Sequence, residues 1–267
     1  MENAKYNEWF NRNTITKLTE KDIDDNLVQQ VHKSRNLYKE LETSYRNEFY
    51  YKNTLFNKFV LGTYSLNTTV ALSEIEIDNS KADFAIFNKN DSFVVEIKTD
   101  LDTLDKLIYQ IEDYYKVFSL VYVLTSENYY YQVYRIVKNT NVGIMVLTKR
   151  STISIRKVAT KDFSKLKHEN LFRLLRKKEY EELIEEEFEE PPVVKPIFRY
   201  SVYLDIFRQL DANKSQKLVF SKVLRRKNSY DVEYLKRVPL ELRWLVYQSN
   251  LNREKFERLL NNLQGGI

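Results

Sequence analysis

Residues 81–98, Lys-Ala-Asp-Phe-Ala-Ile-Phe-Asn-Lys-Asn-Asp-Ser-Phe-Val-Val-Glu-Ile-Lys, set charges inside two strongly apolar runs, and no other segment restricts the chain as tightly. The polar stretch 88–92 is a hairpin-loop signal between the runs. Side chains alternate along a strand, so Phe93, Val95 and Ile97 share one face while Val94, Glu96 and Lys98 share the other. Folding the hairpin about its middle sets Asp83 opposite Glu96–Lys98, to within a residue or two. Strands this apolar are expected to be buried, and a buried carboxylate or ammonium is costly unless it is paired or metal-bound. Two acids with an adjacent lysine are also the donor set that a divalent-metal site for phosphate chemistry requires. Glu96-Ile97-Lys98 is the only Asp/Glu-x-Lys triplet in the sequence.

Composition removes several other chemistries. Without cysteine there is no disulfide, iron–sulfur or thiolate–zinc site. His32 and His168 are far apart, which gives little support to a His-based zinc site or a Ser-His-Asp triad. Gly62, Gly143, Gly265 and Gly266 form no phosphate-cradling loop. The first residues have no apolar core, and the run Leu120–Leu124 is too short to span a bilayer, so no membrane partner is expected and the chain reads as cytoplasmic. Residues 191–267 hold 15 Lys/Arg against 7 Asp/Glu, while residues 1–190 hold 28 against 31. A basic segment of this kind suggests a polyanionic partner, DNA first and RNA second.

Along the chain, Thr19-Glu-Lys-Asp22 reads as a helix start, with Thr19 as the cap and acids in the first turn, and helices are expected over Glu20–Ser34 and from Leu37, with a break, through Phe59, ending at Gly62. Strands follow near 68–77, with Leu72, Ile75 and Ile77 as packing positions, then at 82–87 and 93–98. Residues 101–118 carry apolar side chains at helical spacing. A fully apolar strand is expected at 120–125, a helix near 129–138, and strands near 142–148 and 152–158. Residues 163–188 read as helical. Pro191-Pro192 ends them, and 197–263 read as all-α. The expected parts are an N-terminal helical extension (1–44), a core (45–160), a helix with an acidic linker (161–190) and a basic helical C-terminal domain (191–267).

Asp83, the Glu96-Ile97-Lys98 triplet and the order of elements around them resemble the PD-(D/E)XK nuclease superfamily over about residues 45–158, with Ala82 where a proline is usual. The hairpin also resembles that of a group of small bacterial proteins with this core. Gln110 and Tyr114, four apart on the following helix, resemble the Gln-x-x-x-Tyr element of the RecB-type subset. The resemblance implies an α/β fold with a restriction-endonuclease-like core, a mixed sheet flanked by helices in the order αβββαβ. It further implies a nuclease hydrolysing phosphodiester bonds in DNA or RNA. Asp83, Glu96 and the Ile97 carbonyl would hold Mg²⁺ or Mn²⁺, Lys98 would orient the attacking water, and Gln110 and Tyr114 would line the site. Glu48 is a further metal-ligand candidate, set against an ordinary ion pair with Lys52. Glu74 and Glu76 read as solvent-facing.

Lys222, Arg225, Arg226 and Lys227 form a basic cluster suited to phosphate contact, followed by Lys236, Arg237 and Arg243. Tyr129–Tyr131 could stack bases but more readily pack beside the sheet. The expected setting is DNA repair, mobile-element biology or phage defence, with a protein partner from a neighbouring gene or a homodimer. The alternative reading is a non-catalytic nucleic-acid- or protein-binding module, a partner or immunity protein.

Overall fold

The computed structural model describes residues 6, 8–20, 25–44, 46–226 and 232–264. Helices α1 (Arg12–Leu18), α2 (Asp25–Thr43) and α3 (Glu48–Leu55) come first, and α3 runs into a π-helical turn, Phe56–Val60. Strands β1 (Thr69–Ile77), β2 (Ser80–Asn88) and β3 (Phe93–Lys98) follow. Helix α4 (Leu107–Tyr115) leads to β4 (Val121–Ser126), and α5 (Tyr130–Val137) leads to β5 (Gly143–Leu147) and β6 (Ile153–Lys157). The rest is helical: α6 (His168–Arg173), α7 (Lys177–Glu187), α8 (Pro196–Phe207), α9 (Ala212–Leu224), α10 (Val232–Lys236), α11 (Arg243–Ser249) and α12 (Arg253–Gln264). No helix among the described residues is long and apolar enough to cross a membrane.

Local chemistry sets many of these boundaries. Asn11 caps α1 by accepting from the Asn13 and Thr14 amides, at 2.8 and 3.2 Å. Asn47 caps α3 through the Tyr50 amide at 3.1 Å, and Asp211 caps α9. The expected break at residues 34–37 does not occur, because nothing there interrupts α2, which runs on to Thr43. The expected helix start at Thr19 is corrected: Thr19 closes the C-terminal end of α1, its amide bonding the Thr16 and Lys17 carbonyls, and α2 begins at Asp25. Lys21 and Asp22 lie outside the described residues. At Gly62 the chain leaves the π-helical turn so tightly that an added Cβ would lie 2.5 Å from the Lys58 carbonyl oxygen.

The described residues form two compact units. One comprises 1–67, 148–153 and 227–267, and the other comprises 68–147 and 154–226. The expected boundary at Pro191 coincides with neither division. Residues 161–226 pack within the sheet unit. Phe220 of α9 meets Phe87 and Phe118 at ring-centroid distances of 5.1 and 5.2 Å, and Gln216 donates to the Val117 carbonyl at 2.6 Å.

The sheet has six strands in chain order, β1 to β6. The pairs β1–β2 and β2–β3 are antiparallel, while β3–β4 and β4–β5 are parallel and joined by α4 and α5. Every residue of β3 and β5 is buried, which explains the unbroken apolar sequence of β5 and, in β3, leaves Glu96 and Lys98 as charges within a buried strand. The αβββαβ order implied by the resemblance contains one crossover, and the helix near 129–138 and the strands near 142–148 and 152–158 read from the sequence follow it. Here a second parallel crossover, β4–α5–β5, and a final strand extend the sheet. This six-stranded mixed topology does not match a restriction-endonuclease-like core, and that expectation is corrected.

Gly143 faces Tyr122 across β4–β5, and a Cβ there would lie 2.2 Å from the tyrosine ring and 2.8 Å from the Ala159 amide nitrogen. Gly143→Ala should therefore cost about 1–3 kcal/mol, the usual penalty for overpacking. Urea unfolding followed by circular dichroism checks this, and an unchanged midpoint would mean that Tyr122 simply swings aside.

Candidate functional site

In the second unit the β2–β3 ladder pairs Phe84 with Val95, and one step further the same register sets Asp83 beside Glu96. The Asp83 carboxylate accepts the Ile97 amide at 2.7 Å. Glu96 and Lys98 are both buried, and the Lys98 ammonium donates to one Glu96 oxygen at 2.8 Å. The other Glu96 oxygen accepts the Tyr114 hydroxyl. Gln110, one turn before Tyr114 on α4, also hydrogen-bonds the carboxylate, while its own Oε1 is enclosed without a partner.

Burial pushes the Glu96 carboxyl above the usual range, against the opposing pull of Lys98, Tyr114 and Gln110. Burial, and then the adjacent carboxylate, push the Tyr114 phenol far up as well, so it stays a donor. The five residues singled out from the sequence thus meet at one polar centre, whose central carboxylate is committed on both oxygens to donors of this chain.

The backbone is distorted beside this centre. Glu74, in the middle of β1, has φ = 58°, and the Glu74–Asp83 pair is missing from an otherwise continuous ladder. Glu74 and Glu76 are both exposed, and Glu74 forms an ion pair with Lys81 at 2.6 Å. Glu48 belongs to the first unit, where it pairs with Lys52 one helical turn away.

The basic cluster is internally neutralised. Lys222 is buried, with its ammonium 2.9 Å from Glu186 and 3.7 Å from Glu182. Arg225 reaches Glu186 at 3.2 Å. Arg226 forks onto Glu179 and donates to the Leu174 carbonyl at 2.7 Å. The acidic end of α7 is therefore the counterpart of α9, and Lys227 lies outside the described residues. Lys236 pairs with Glu233, and Arg243 donates to backbone carbonyls and to Asn57. Tyr129 donates to the Asp102 carbonyl at 2.6 Å, whereas Tyr131 is well exposed.

Net charge is distributed unlike the expectation. The second unit holds 24 Lys/Arg and 24 Asp/Glu, and the first holds 19 against 14, so the whole net charge of +5 resides in the first. The cations that gather there were not singled out from the sequence. Arg35, Lys39, Lys58 and Arg150 line one cleft of the first unit. Only the i,i+4 spacing of Arg35 and Lys39 hinted at a shared face.

Fold and polar centre together define a mixed-sheet α/β protein whose buried charges close on one another. The family model described as bacteriophage P4 protein cII matches residues 41–240, and the chain belongs to that family. No curated protein and no solved structure matches it. The membership is not to a PD-(D/E)XK nuclease family, and it corrects the resemblance together with what was drawn from it: the RecB-like assignment, the phosphodiesterase activity and the Mg²⁺ or Mn²⁺ cofactor. The same residues have a plain physical role, since a buried acid and a buried lysine satisfy each other.

Proposed function

We propose that the chain is a non-catalytic nucleic-acid-binding module of phage type, in which the basic first unit carries the binding surface. The observation that carries this reading is the segregation of charge: one unit is neutral, and the other holds the whole positive excess. Such an excess attracts polyanions without reading sequence. On this reading Asp83, Glu96, Lys98, Gln110 and Tyr114 form an internal pin of the sheet unit. DNA is the first ligand to test, with RNA beside it.

The test is fluorescence anisotropy with single- and double-stranded DNA and RNA in EDTA over a range of salt. Binding should need no divalent metal and should weaken with salt, with a slope of about −0.9 in log K against log salt for each duplex phosphate contacted. Absence of binding to every nucleic acid at low salt would overturn the proposal. A second reading, a protein partner, draws on the exposed Leu101, Tyr109 and Tyr131 of the sheet unit. Salt-independent association with a purified product of a neighbouring gene would favour it.

A further inference from the structure

We propose that the cleft in the first unit binds a terminal phosphate, carried either by a free nucleotide or by the end of a nucleic acid. This inference rests on the nucleic-acid reading and gives it a specific site. The cleft encloses about 460 Å³, more than one phosphate group needs and within the range of small-ligand sites, about 300–1,000 Å³. Its cations come from three separated segments: Arg35 and Lys39 from α2, Lys58 from the π-helical turn, and Arg150 from the turn 148–152.

Two carboxylates also line the cleft, and both are engaged. Glu241 lies 3.7 Å from Arg35, and Glu42 accepts from Ser151 Oγ at 2.6 Å and from the Tyr50 hydroxyl at 3.2 Å. Among the described residues, no carboxylate lies within ion-pair distance of Lys39, Lys58 or Arg150. Cations gathered in this way repel one another until an anion joins them. Arg and Lys supply the donors that phosphate recognition uses, and the hydroxyls of Tyr38 and Thr54 also line the cleft, while that of Ser151 is committed to Glu42.

The wall that presents Arg150 is fixed before any ligand arrives. Arg46 grips the turn through the Thr148 carbonyl at 2.5 Å and the Lys149 carbonyl at 2.7 Å. Ser151, next to Arg150, sits at φ = 57°, a left-handed conformation that costs an L-residue roughly 1–2 kcal/mol. Its hydroxyl offsets that cost through Glu42 and through Tyr50, which donates to it at 2.7 Å. Strain retained in a cleft wall, beside an unpaired cation, marks a preorganised contact.

The experiment is calorimetric titration of the full chain with deoxyadenosine 5′-monophosphate, with deoxyadenosine, and with one oligonucleotide phosphorylated at the 5′ end, at the 3′ end or at neither. A terminal phosphate should tighten binding about tenfold or more, and the monophosphate should bind where the nucleoside does not. The double variant Lys58→Gln/Arg150→Gln, with folding verified by circular dichroism, should abolish the preference. Equal binding of phosphorylated and unphosphorylated oligonucleotides would overturn the cleft and leave the nucleic-acid reading standing. Binding of the monophosphate without any oligonucleotide would support the cleft and overturn that reading. A preference that survives the double variant would place the phosphate elsewhere and overturn the assignment.

Discussion

Replacing Lys98 with Met should destabilise the protein by about 3–5 kcal/mol near pH 8, the usual cost of leaving one buried charge without its partner. The loss should shrink as pH falls. Burial already raises the Glu96 carboxyl, and removing Lys98 withdraws the charge that opposes the rise. With the folded-state pKa above the unfolded one, the native state holds a proton that the unfolded chain releases. Stability is then greatest below the unfolded value, near 4.5, and is lost as pH rises through the folded one. Urea unfolding at about pH 5 and about pH 8 reads this slope. The double variant Glu96→Gln/Lys98→Met removes both charges and should return to within about 1 kcal/mol of the parent. A single variant that matched the parent at both pH values would show that the pair is not part of what holds the sheet together.

Asn53→Ala should cost about 2–4 kcal/mol and should act first on the C-terminal part of the first unit. Asn53 is fully buried on α3, and its amide donates to the Tyr38 hydroxyl at 2.7 Å and to the Leu240 carbonyl at 3.1 Å. Its carbonyl accepts the Trp244 amide at 3.2 Å. One side chain thus serves α2 and two points of the segment leading into α11. Truncation leaves several buried polar groups without partners, each worth about 1–3 kcal/mol. Trp244 is buried against Phe56 and Tyr247, so its emission should shift toward that of exposed tryptophan at lower urea than in the parent. Recording the signal in a Trp9→Phe background isolates it. Identical curves would mean that water replaces the amide without cost.

Strands were the most legible part of the sequence. The apolar runs at 82–87 and 93–98, and the loop between them, set Asp83 opposite Glu96–Lys98 to within a residue or two, and the observed ladder, continued one step past Phe84–Val95, brings it to Glu96. Helix ends were less legible, because local side chains compete with helix formation. The apolar spacing of 101–118 suggests one long helix, yet Asp102 turns back to bind both the amide and the hydroxyl of Thr99, at 2.7 Å each, and α4 starts at Leu107. In the same way Glu179 caps the Arg176 amide at 2.7 Å and divides the expected helix 163–188 into α6 and α7.

Charge was legible as an amount but not as a pairing. The basic run of α9 and the acidic run of α7 stand apart in sequence and cancel only once folded. The chemistry of the polar centre was equally ambiguous. A glutamate and a lysine two apart on a buried strand satisfy one another as readily as they would serve a metal, and family membership, not spacing, separates the two.

The interleaving of the two units along the chain has a consequence for synthesis. A ribosome adding roughly 5–20 residues per second releases the sheet unit whole once residue 226 has emerged. The first 67 residues leave earlier but lack the helices that close their core, because Trp244, Leu259 and Leu260 follow only after the sheet unit. The N-terminal helices therefore precede the sheet unit yet complete their own unit only after it, and chaperone protection during translation would fall on them.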